Sequence, residues 1–238
     1  MHQLGSQNYL YTAGDGDKID LFEIENDGSM QFLTNYVVSG AKNTVRGLIT
    51  DKIGGNDYLF AGLKGGNAVE VYRINSDGTL KSVFVLPDTD TTNLGIVISL
   101  QVIHMETASY LFVGGLEQPP GLSAFRVTEE GKLVHVQSMA DSEEVFTDGI
   151  IGMSVHQIDG KTFLFTGGFQ DNGLSSFRVF EDGHFENIFN IGDDRTLYLK
   201  GTYPVIAATR SGWEYAIGGH RHHIYYNPTP WVKDRHTY

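Results

Sequence analysis

One four-part pattern is written five times along this chain, and the length of its period limits what the chain can fold into. Tyr9 to Val37 reads YLYTAGDGDKIDLFEIENDGSMQFLTNYV, and Tyr58 to Leu86 reads YLFAGLKGGNAVEVYRINSDGTLKSVFVL. Tyr110 to Met139 and Phe163 to Ile191 repeat it, and a degraded copy, WEYAIGGHRHHIYYN, begins at Trp213. The anchoring glycines are Gly14, Gly62, Gly114, Gly167 and Gly218, spaced 48, 52, 53 and 51 residues apart. A period of about 50 residues belongs to stacked supersecondary units that cannot bury an apolar face alone.

Within each copy apolar and polar residues alternate, as in Ala68-Val69-Glu70-Val71-Tyr72-Arg73-Ile74, which is the period-two pattern of a strand. Between the runs stand Asn26-Asp27-Gly28, Ser76-Asp77-Gly78, Glu130-Gly131 and Asp182-Gly183, hairpin signals in which glycine accepts a positive φ. The stretches 47–53, 95–104, 149–157 and 202–210 add a further strand ahead of four copies. Each period therefore holds four short strands, a to d, and no segment sustains helical periodicity. Four antiparallel strands repeated in this way point to an all-β fold, a β-propeller, and 238 residues make about five blades.

The blades are expected at about 1–45, 46–93, 94–147, 148–199 and 200–238, as a single domain. Only Met1 to Asn8 precede the first strand b, so blade 1 is expected to lack its innermost strand unless these residues complete it irregularly, the C-terminal tail completes it, or the chain is part of a longer propeller. Blade 5 is expected to hold strands a to c, with a short d at Trp231-Val232.

The runs LFVGG…GLSAFRV…EGKLVHV and LFTGG…GLSSFRV…DGHF resemble the lactonase-type propeller repeats of phosphogluconolactonase-like proteins and of bacterial repeats-in-toxin secreted proteins. The resemblance covers about Tyr9 to Gly219 and implies architecture. It carries over no catalytic residue, and the calcium-binding nonapeptide of the toxin repeats is absent.

Function in a propeller resides where the copies differ. The recurring Arg73, Arg126 and Arg178 read as ladder charges that pair with a neighbouring blade. Aligning Gly47, Gly95, Gly149 and Gly201 places Arg46, Asn93 (beside Leu94), Asp148 and Lys200 at one mouth of the channel, a ring suited to a carboxylate- or hydroxyl-bearing ligand. The last copy departs most, reading Gly219-His220-Arg221-His222-His223-Ile224-Tyr225. In a strand His220 and His222 share a face and can share a divalent metal, zinc, manganese or calcium. Arg221 and Tyr225 are further ligand-binding candidates. His220, His222, Tyr203 and Arg210 are also the parts of a lyase acting on sugar acids, with a cation to neutralise the carboxylate and His or Tyr to move protons. Asp88-Thr89-Asp90 and Asp193-Asp194 are acidic loops suited at most to weak calcium binding.

Two readings follow. One is a binding module with a single asymmetric site for a carbohydrate or sugar-acid-like ligand. The alternative is an enzyme, a polysaccharide lyase or lactone hydrolase, acting on sugar acids or acidic polysaccharide. A net charge of −12 argues against nucleic acid as a partner, and no apolar run is long enough for a membrane span. No cysteine is present, so disulfides, thiolate metal sites and a Cys nucleophile are excluded. The acidic, lysine-poor composition is that expected of a bacterial extracellular protein exported without a cleaved leader, and a cytoplasmic protein is equally compatible with it.

Overall fold

The computed structural model describes residues 1–40, 44–117, 120–210 and 213–220, with the backbone alone from 203 onward. Every regular element among these residues is a strand. Blade 1 comprises β1 (His2–Leu4), β2 (Gln7–Ala13), β3 (Lys18–Ile24) and β4 (Met30–Val37). Blade 2 comprises β5 (Thr44–Ile53), β6 (Asn56–Lys64), β7 (Ala68–Ile74) and β8 (Leu80–Pro87). Blade 3 runs through β9 (Ile96–His104), β10 (Ser109–Leu116), β11 (Gly121–Val127) and β12 (Leu133–Ala140). Blade 4 runs through β13 (Ile150–Ile158), β14 (Lys161–Gly168), β15 (Gly173–Val179) and β16 (Phe185–Gly192). The described part of blade 5 is the hairpin β17 (Thr202–Arg210) and β18 (Trp213–His220).

Each of the first four blades is an antiparallel sheet in simple sequence order, and β5, β9, β13 and β17 pack side by side as the inner strands. The chain is a β-propeller. The N-terminal residues do supply an innermost strand to blade 1: β1 pairs with β2 through His2↔Tyr9 and Leu4↔Gln7. Of the alternatives open for blade 1, this is completion by the first residues. The strand is short, three residues against ten in β5. The proposed d strand at Trp231-Val232 lies outside the described residues.

The pattern repeats down to single irregularities. Strands c and d slip register at Leu21/Phe22, Val71/Tyr72, Ala124/Phe125 and Ser176/Phe177, one bulge per blade at the same place. The aromatic residue opening strand b locks each blade to the next. The rings of Tyr9, Tyr58 and Tyr110 lie over Gly78, Gly131 and Gly183, where a Cβ would come within 2.6, 2.6 and 2.3 Å of the ring. The Tyr58 hydroxyl donates to the Glu129 carbonyl at 2.5 Å and the Tyr110 hydroxyl to the Glu181 carbonyl at 3.0 Å. Each hairpin glycine thus has two reasons to be glycine, a positive φ and an aromatic lid. Between the blades lie apolar seams. The seam of blades 3 and 4 buries Phe112, Phe177 and Phe185 in edge-to-face contact, each ring contributing about 1.5–3 kcal/mol through burial.

Among the described residues, Arg73 and Arg178 make other contacts than the expected inter-blade ion pairs. Arg73 donates to the amide oxygen of Asn56 in its own blade, and Arg178 stacks 4.6 Å above Phe180. His104 bridges two blades. Its ring nitrogens lie 2.9 Å from Asp51 Oδ1 and 2.8 Å from Ser109 Oγ.

Candidate functional site

The d–a and b–c loops gather on one face of the propeller, because strands a and c both have their loop ends there. A single device shapes the d–a loops. The first residue after strand d bonds through its N–H to the facing b–c loop: Asp88 to Asn67, Asp141 to Pro120 and Asp193 to Asn172. Its carboxylate then accepts the N–H six residues on, from Leu94 (3.1 Å), Thr147 (3.0 Å) and Leu199 (2.7 Å) respectively. Asp88 also accepts from Thr89, Thr92 and Gly95, and Asp194 from Thr196 and Leu197. These acidic residues, which look from sequence like cation ligands, spend their lone pairs on their own loops. Strand c braces the same loops from within. Buried Glu70 accepts from Ser39 N and Oγ at 2.7 Å, Ser123 Oγ donates to the Thr92 carbonyl, and Ser175 Oγ accepts from Phe146 N at 3.1 Å.

Counting from this aspartate cap gives the equivalent positions. Seven residues after it stand Gly95, Asp148 and Lys200. Asp148 and Lys200 are therefore true counterparts, whereas Asn93 lies two residues earlier, in a left-handed turn (φ 43°). Gly47 is not equivalent to Gly95, Gly149 and Gly201. Those three have positive φ and precede their strands, while Gly47 lies inside β5 opposite Gly62. Arg46 is consequently a strand residue, and its guanidinium reaches back to Asp15 in blade 1 at 2.6 Å. Asp15 is 79% exposed, so this is a solvated rim pair worth about 0–1 kcal/mol.

Around Asp148 the loops of blade 4 build a half-buried cluster of acids. Asp148 N donates to Asp171 Oδ2 at 2.7 Å, and Gly201 N donates to Asn172 Oδ1 at 2.8 Å. The b–c loop of blade 4 is thus held between Asp148 on one side and the residue after Lys200 on the other. Asp148 Oδ1 is buried and meets no hydrogen-bond partner. Burial pushes the Asp148 carboxyl above its ordinary value. The backbone N–H of Glu117 opposes this, and the charges of Asp141 and Glu117 reinforce it. Asp171 is pushed up to about 6, mainly by burial, then by the charges of Asp141 and Asp148 and a hydrogen bond with Asp141, against the pull of the Asp148 N–H. Asp171 thus exchanges its proton near pH 6, so this group can donate as well as accept around that pH.

The last-blade candidates are placed only in part. His220 ends β18 opposite Thr202, the first residue of β17, so its backbone lies at the loop face. Tyr203 follows Thr202 in an irregular stretch of the pairing. Arg210 pairs with Trp213 at the other end of the hairpin, about 26 Å of strand away. Arg221, His222 and Tyr225 lie outside the described residues. Among the described residues no three His, Asp or Glu side chains are grouped to hold a metal ion, and no helix is long and apolar enough to cross a membrane. Sequence reading missed Asp141 and Asp171. The first was legible as an aspartate recurring after strand d in three copies, and the second carried no signal.

No family model matches the sequence, and no curated protein matches it. Solved structures do. A protein from Lactobacillus plantarum superposes with a TM-score of 0.57 at 17% identity, over 77% of this chain and 54% of its own. The periplasmic gluconolactonase of Pseudomonas aeruginosa gives 0.58 at 18%, over 79% and 54%. A GH43_1 enzyme from Xanthomonas citri, solved with xylose, gives 0.53 at 14%, over 91% and 79%. The likeness to a lactonase-type propeller is therefore one of fold, and the chain spans about half the length of the first two structures.

Proposed function

We propose that this propeller binds a carbohydrate or sugar-acid-like ligand at one asymmetric site on its loop face, above the loops of blade 4. The observation that carries the reading is the grouping of Asp148 and Asp171 beside the Asp141 cap: Asp148 N donates to Asp171 Oδ2, the buried Asp148 Oδ1 meets no partner among the described residues, and burial raises both carboxyls, although the aspartate cap alone closes the loop. Paired carboxyls that both donate and accept suit vicinal hydroxyls, and Lys200 supplies a cation for a ligand carboxylate. The sugar-directed names of the structural neighbours are consistent with this reading. Calorimetric titration with neutral sugars, aldonolactones and sugar acids tests it. Binding weakened at least tenfold by D148N or D171N supports the site, and a chain that takes up none of these ligands refutes it.

The second reading is an enzyme, and the value of about 6 at Asp171 favours it, since a general acid works best when it titrates near the working pH. Asp171 would then protonate a leaving oxygen in a lactone or glycoside hydrolase. The lyase version rests on His220 and Tyr203 at the same face, with a divalent metal held by His220 and His222 and with Arg221 and Tyr225 near the ligand. Arg210, at the far end of its hairpin, takes no part. Hydrolysis or elimination lost in D171N but retained in H220A/H222A would assign the chemistry to blade 4, and the reverse to blade 5. Export to the extracellular space would suit either activity.

A further inference from the structure

We propose a second ligand site on the opposite face, between blades 1 and 2, that takes a small hydroxylated carboxylic acid of about monosaccharide size. A cleft of about 470 Å³ lies where Gln3, Leu4 and Gly5 at the a–b turn of blade 1 face the a–b and c–d turns of blade 2. That volume lies within the range of small-molecule sites. Leu4 and Ile74 give the cleft an apolar wall, suited to the C–H face of a sugar ring. Gln3, Asn56 and Ser76 offer hydroxyl partners around it.

The charge balance selects the anion. Two cations, Lys52 and Arg73, and one carboxylate, Asp57, line the cleft. Both oxygens of Asp57 are engaged, Oδ1 by His2 at 3.0 Å and Oδ2 by Lys52 at 4.0 Å. Arg73 is left over. It meets the neutral amide of Asn56, and no described carboxylate stands within ion-pair distance of it. Its counterpart Arg178 is covered by Phe180, whereas Arg73 is exposed to the cleft with most of its fork of donors unspent. A planar carboxylate fits such a fork in bidentate fashion, and the hydroxyls then fall to the neutral side chains.

The site does not depend on the loop-face reading, and the test separates the two. Glucuronate, glucose and inorganic phosphate are titrated into D148N, in which the loop-face site is disabled, and into the double variant R73M/D148N, with ligand-observed NMR as the readout and circular dichroism to confirm that each variant is folded. The expected result is saturable glucuronate binding to D148N, weakened at least tenfold in R73M/D148N, with no comparable uptake of glucose by either. R73Q is a second, less apolar variant, in case R73M unfolds. Glucuronate binding that survives both Arg73 variants, or is absent altogether, overturns the site. Phosphate binding as tight as glucuronate overturns the assignment to hydroxy acids and leaves a general anion cleft.

Discussion

The d–a loops of blades 3 and 4 are two versions of one device, and they differ in what they carry beyond it. In the loop from Asp88 to Gly95 a single carboxylate gathers four donors and closes the turn, with glycine at the seventh position. In the loop from Asp141 to Gly149 the equivalent aspartate does the same with Thr147. Yet the seventh position is Asp148, and Asp171 leans in from the facing loop. The blade 3 loop shows that closure needs one acid. The two additional acids of blade 4 are half-buried, and burial with the charges of neighbouring acids raises the proton affinity of each, which costs stability that the one hydrogen bond from Asp148 N to Asp171 offsets only in part. Groups retained at such a cost are where ligand chemistry is to be sought.

If the comparison holds, the caps are structural and the additional acids are not. The largest effect on stability is expected from D88A, which strands several loop donors and should cost about 2–3 kcal/mol, with D141A at about 1–2 kcal/mol, read from urea unfolding midpoints. D148N and D171N should leave the unfolding midpoint at neutral pH equal to or above that of the wild type, because amide oxygens still accept while the repulsion is gone. A large loss of stability in either would make them braces and break the comparison.

The pH dependence sharpens it further. Asp171 binds its proton more tightly folded than unfolded, with a folded value of about 6 against an ordinary 3.8. The folded state is therefore favoured while the group is protonated, and stability declines as pH rises from about 4 to about 6, levelling off above that. The gap in melting temperature between D171N and the wild type should open in favour of D171N across this window. An equal pH profile for both would remove the proton from the site. The smallest effect is expected from K200A, a loss of about three- to fivefold in affinity for a sugar acid and none for a neutral sugar, since Lys200 is exposed and its charge is screened.

The period of the glycines made the propeller legible, because four blades repeat their turns and their bulge, and three repeat an inter-blade tyrosine. The site was legible only where the copies could be aligned correctly. Asp148 and Lys200 emerged because both precede a glycine of positive φ. Arg46 was grouped with them because Gly47 looks the same on paper, although it sits inside a strand opposite Gly62. Asp171 escaped notice because its role comes from burial and from its neighbours Asp141 and Asp148, which are 30 and 23 positions away in sequence. The cleft beside Arg73 was equally hidden, since it forms between turns of two blades and holds an arginine whose counterpart is covered elsewhere.

The central claim is that the loops of blade 4 raise the Asp171 carboxyl to a midpoint of about 6. Carbon-13 NMR of the aspartate carboxyl groups across a pH titration measures this directly. A carboxyl with its midpoint near 6 that disappears in D171N is the expected result. Aspartates that all titrate below about 5, as unperturbed carboxyls do, would contradict the claim and leave the cluster as ordinary loop bracing.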